Sequence, residues 1–170
     1  MPKSQPVAGS PASPNGARPQ PSVDAICAKA DALFRAACEC CRQHERQARM
    51  GEISSLDSEH RTATELVKLC DAALAEAAAA YEKCTARARP NGDDEAWWHR
   101  ANGLWSASRE YLRRNSESDR ASRRIEPRSA TKLGELQIDY ELEASALLAL
   151  QQAMEGYRKV RPGADCMPRR

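Results

Sequence analysis

Seven cysteines and three histidines are the side chains in this 170-residue chain best equipped for chemistry, and their spacing limits what that chemistry is. Cys27, Cys38 and Cys41 follow one another at intervals of eleven and three residues, which keeps them on one side of a helix. Cys70 and Cys84 are fourteen residues apart, close to four helical turns, and share a second stripe. A chain that folds back near residue 53 carries Cys38 and Cys70 to nearly the same height. Thiolates facing one another across such a hairpin suit Cu(I) or Zn²⁺, because soft sulfur binds both. The metal-ligand set read from the sequence is therefore Cys27, Cys38, Cys41, Cys70 and Cys84. Against it, the run Cys38-Glu39-Cys40-Cys41 holds a single CxxC pair, and no repeated motif concentrates the other thiols. Free cysteine also packs as a small apolar residue, a role that fits an alanine-rich core.

The histidines add little. His44 and His60 sit about equally far from the turn near residue 53, so an antiparallel hairpin brings them opposite each other. Facing imidazoles hold a metal or titrate together, but a di-metal bundle also needs Glu-x-x-His motifs, and the sequence has none. Boundary residues near a hairpin end are the expectation. His99, Cys84 and Met154 make a copper set only if one bundle end gathers all three. Glu143 and Arg109 fall at similar levels and are expected to form an ion pair that fixes register at the rim of the core.

No glycine-rich phosphate loop, nucleophile elbow, HExxH or EF-hand pattern occurs. No pair of carboxylates has a spacing suited to acid–base catalysis. The expected class is a non-enzymatic structural or protein-interaction module with no cofactor, and the thiol-lined metal bundle is the alternative. Contact residues for a protein partner, or for a second copy, are sought where large or charged groups gather. Trp97, Trp98 and Trp105 all lie in the first half of one helix, and tryptophan combines wide apolar area with an N–H donor. Beyond them, Arg113, Arg114, Arg120, Arg123, Arg124 and Arg128 are interleaved with Glu117, Asp119 and Glu126. Such a stretch contacts phosphates or an acidic partner, or else forms a solvated helix surface. The interleaved acids and a formal net charge of only +2 make nucleic acid a second alternative.

The elements that position these residues are helices. Apolar residues recur at steps of four and three along Leu56, His60, Ala63, Val67, Cys70, Leu74, Ala77, Tyr81, Cys84 and Ala88. Comparable stripes run from Ile26 to His44, from Trp97 to Leu112 and from Leu133 to Tyr157. Ser22 caps the first helix, and Ser54 with Asp57 forms a capping box for the second. Pro90-Asn91-Gly92 stops the second helix after Arg89, Pro127 closes the third, and Pro162-Gly163 ends the fourth. Three short connections between helices of about 45 Å force antiparallel neighbours. The predicted fold is an all-α, up-down-up-down antiparallel four-helix bundle over residues 22–162. A disordered Pro/Ser/Ala-rich tail (residues 1–21) precedes it, and a mobile tail (residues 163–170) follows. With no long apolar run and an odd cysteine count, a membrane span and a disulfide framework are not expected. Reduced thiols in the cytoplasm are.

Overall fold

Ser22 starts the first helix by the expected device: its Oγ accepts a hydrogen bond from the Ala25 backbone N–H at 3.2 Å. In a computed structural model that describes residues 21–53, 57–86, 88, 95–123 and 130–161, four long helices follow in order. They are α1 (Val23–Ile53), α2 (Asp57–Thr85), α3 (Glu95–Arg123) and α4 (Ala130–Val160). The described residues contain no strand, and no helix among them is long and apolar enough to cross a membrane. The terminal tails, the Ser54–Asp57 capping box, the Pro90-Asn91-Gly92 stop, Arg124, Arg128, Cys166 and the His60 side chain lie outside what is described. α2 ends at Thr85, before the predicted Arg89. The Ala88 N–H reaches the Thr85 carbonyl, a tighter spacing than the helical one.

Cross-helix contacts fix the direction of each neighbour. On α1 and α2, Gln47 meets Thr64 and Cys40 meets Asp71, so one number falls as the other climbs. On α2 and α3, Asp71 meets Tyr111 and Tyr81 meets Asn102. On α1 and α4, Asp31 meets Tyr157 and Cys41 meets Met154. Each pair is antiparallel, which is the up-down-up-down bundle. α1 packs chiefly on α2, and α3 on α4, forming two hairpins. Across the bundle, α1 also touches α3, whereas α2 and α4 do not meet.

Small residues dominate the inner face of α1. Ala30, Ala37, Cys38, Cys40 and Cys41 are all buried there, beside Leu33 and Phe34. The larger core residues opposite them are Leu74, Tyr81, Leu104, Tyr111, Leu150 and Tyr157, all fully buried. Each such leucine contributes about 1.5–3 kcal/mol by leaving water. The three tyrosines carry their hydroxyls to polar groups on the opposite hairpin: Tyr81 to Asn102, Tyr111 to Asp71, and Tyr157 to Asp31. A buried phenol otherwise leaves its O–H unsatisfied, so these bonds hold the two hairpins in register.

α4 departs from its predicted stripe. Among its described residues, only Ala146, Leu150 and Tyr157 are buried, while Leu133 and Tyr140 are exposed. The hydrogen bonds that tie α4 to α1 fall in its second half, at Met154 and Tyr157, and none of the described residues before Ala146 is buried.

Candidate functional site

Cys40 and His44 lie four residues apart on α1 and therefore project from one face. Tyr111 and Asn115 bear the same relation on α3. Between them, α2 presents Asp71, and the five side chains form a polar hub inside the bundle. The Cys40 thiol donates to Asp71 Oδ1 at 3.2 Å, and the Tyr111 hydroxyl donates to the same oxygen at 2.9 Å. Asn115 Nδ2 donates to Asp71 Oδ2 at 2.7 Å. His44 Nε2 is hydrogen-bonded to the Tyr111 hydroxyl and lies 3.7 Å from Asp71 Oδ1. The His44 and Tyr111 rings meet edge to face at 5.5 Å.

Burial works against the Asp71 charge, but His44 close by and the hydrogen bonds from Tyr111 and Cys40 outweigh it and hold the carboxyl below its ordinary value. Burial, then the Asp71 charge, pushes the Cys40 thiol far up. The Tyr111 phenol moves the same way, first through burial. Cysteine, histidine and aspartate together suggest a nucleophilic triad, but this geometry is not one. Cys40 is fully buried, donates to the carboxylate rather than to the imidazole, and is held as the thiol.

The hub opens to solvent on one side. A cleft of about 780 Å³ is lined by all four helices, with His44 of α1, Asp71 of α2 and Asn115 of α3 on its wall. Val67 and Leu112 add apolar surface, and Tyr140, Ala144 and Leu147 of α4 close the far side. The cleft lies beside the first half of α4, where none of the described residues is buried.

The five cysteines read from the sequence do not converge. Among the described residues, the one group of three or more metal-binding side chains is Cys40, His44 and Asp71. Cys38 is buried in the core, and buried Cys41 faces Met154 Sδ at 3.8 Å, its thiol pushed up to about 11 by burial and then by Glu45. Cys27, Cys70 and Cys84 are half-buried. Met154 thus meets Cys41 rather than Cys84, and His99 is exposed. Two members of the Cys40, His44 and Asp71 group are absent from the candidate ligands read from the sequence: Cys40, and Asp71, which sits beside Cys70. The buried line along α2 runs through Val67, Leu74, Ala78 and Tyr81, and Asp71 falls on it. A polar residue within that line was the available signal.

The tryptophans pack against the core. Trp97 and Trp98 lie 6.2 Å apart between ring centroids, and the Arg109 guanidinium stands over Trp105 at 5.3 Å. The indole N–H groups of Trp97 and Trp105 are buried without a hydrogen bond of good geometry. Arg109 pairs with Glu82 on α2 at 3.2 Å instead of Glu143, which lines the cleft. Arg113 and Arg114 bind Glu110 and Glu117 of their own helix, and Arg123 binds Asp119. Those hydrogen bonds from Arg113 and Arg114 hold the Glu110 carboxyl down at about 2. Arg120 is exposed at the end of the same helix.

No protein-family model, curated protein or solved structure matches this chain.

Proposed function

We propose that this protein is a non-enzymatic helical interaction module. Its docking element is the exposed flank of α4, and its partner is a second copy of the same helix, laid antiparallel. One observation carries the reading: Leu133, Gln137, Tyr140, Ala144 and Leu148 recur at helical spacing, every one exposed and none charged. Leu133, Tyr140 and Leu148 are 52%, 46% and 55% exposed. An uncharged stripe at steps of four and three is what one helix offers another. The charge order of α4 fits an antiparallel copy. Glu135, Asp139, Glu141 and Glu143 outnumber Lys132 in its first half, and Arg158 and Lys159 stand in its last turn. An antiparallel pair sets acidic ends against basic ends.

The arginine-rich end of α3 is a weaker docking surface, because Arg113, Arg114 and Arg123 are already paired with acids of their own helix. Cys40, Cys41, Cys70 and Cys84 are thiols rather than disulfides, which fits a reducing compartment such as the cytoplasm.

Sedimentation velocity of the full chain at about 100 μM, a concentration that detects even weak pairing, tests the reading. The expected result is a dimer that weakens as salt rises and becomes monomeric in the Leu133→Glu/Leu148→Glu variant, with unchanged circular dichroism. Both positions are exposed, so the substitutions leave the bundle folded. A wild-type monomer at that concentration rejects the reading.

A further inference from the structure

The polar hub has the composition and spacing of a metal site. We propose that Cys40 Sγ, His44 Nε2 and Asp71 Oδ1 bind one Zn²⁺ at the wall of the cleft, leaving a fourth position for water or a ligand atom from the cleft. The three atoms lie within 4.8 Å of one another. Two of the separations are 3.2 Å, from Cys40 Sγ to Asp71 Oδ1, and 3.7 Å, from His44 Nε2 to Asp71 Oδ1. Ligands around a tetrahedral zinc, at about 2.0 Å for nitrogen or oxygen and about 2.3 Å for sulfur, stand about 3.3–3.6 Å apart. The hub therefore takes the ion with small side-chain shifts.

The supporting groups favour the same assignment. Asn115 occupies Asp71 Oδ2 at 2.7 Å, which fixes the carboxylate with Oδ1 toward Cys40 and His44. One thiol, one imidazole and one carboxylate form a mixed set suited to zinc. Cu(I) prefers further sulfur ligands, and the sulfur pair of Cys41 with Met154 is a separate contact. The cleft supplies a route for entry, since His44 and Asp71 both line it.

Tyr111 competes with the ion. Its hydroxyl holds both His44 Nε2 and Asp71 Oδ1, two of the three ligand atoms. Zinc binding thus releases the Cys40 proton, places the His44 ring proton on Nδ1, and frees the phenol from both partners.

Cobalt(II) is the probe, because a thiolate ligand gives it a charge-transfer band and tetrahedral coordination gives intense visible bands. Reduced full-length protein is titrated anaerobically with Co²⁺ and then with Zn²⁺. The expected result is one equivalent of cobalt with a thiolate band, displaced by one equivalent of zinc. Cys40→Ser abolishes the band, His44→Gln weakens binding at least about tenfold, and Cys70→Ser leaves the band intact. Tyr111→Phe, which removes the competitor, tightens binding. A wild-type titration without a thiolate band overturns the proposal, and needs no variant to fold. A band that survives Cys40→Ser in folded protein also overturns it, as does weaker binding in Tyr111→Phe.

Discussion

Asp31 and Asp71 perform one task at two places, each receiving a tyrosine hydroxyl from the opposite hairpin. At Asp31 the Tyr157 hydroxyl donates at 2.6 Å and Arg161 Nη2 at 2.6 Å. Burial raises this carboxyl, but the bonds from Arg161 and Tyr157 prevail and lower it below its ordinary value. A lowered folded-state value stabilises the fold above the unfolded-state value, and the contribution vanishes as pH falls through the folded one. Asp31→Asn is expected to cost about 1 kcal/mol at neutral pH, allowing for the screening of the partly exposed Arg161. Urea unfolding at several pH values checks it. The gap between variant and wild type should close as the pH falls below the folded-state value, and a gap independent of pH would rule out the carboxylate's charge as its source.

Individual helices are where the sequence was most readable. The stripes, the Ser22 cap and the breaks between segments identified four helices and their antiparallel order, because 3.6-residue periodicity is a property of each helix alone. Which residue along a helix turns inward depends on the neighbour. That is why a stripe alone points to Cys70 although Asp71 holds the inner position, and why it assigns the first half of α4 a covered face. The same dependence separated Arg109 from Glu143: α2 lies nearer and offers Glu82. Two glycines inside helices show a local property untouched by packing. A Cβ added at Gly103 on α3 or at Gly134 on α4 meets nothing within 4 Å. Gly103→Ala and Gly134→Ala are each expected to stabilise the protein by about 0.5–1 kcal/mol, the difference in helix propensity. Denaturant midpoints would show it. At Gly156 the new carbon would stand 3.2 Å from Arg100 Nη1, so the arginine must move and the gain is smaller.

At the scale of the whole molecule, the two ends of the bundle differ in how they are held. The end containing Trp97, Trp98 and Trp105 is sealed by Phe34 against Tyr157 at 5.4 Å and by the Asp31–Arg161 pair. The other end contains the cleft, and between positions 133 and 145 no α4 residue is buried. Every indole therefore belongs to the sealed end, so tryptophan emission is an optical gauge of that end alone. Circular dichroism, in contrast, averages over all four helices. Apolar burial sets the local cost of opening, so the cleft end should melt first. On heating, the ellipticity is expected to begin its loss before the emission shifts, with separate midpoints for the two signals. Coincident transitions would show that the two ends unfold as one cooperative unit. The placement of three tryptophans thus makes this chain its own two-channel thermometer, one channel reading one end and the other reading the whole.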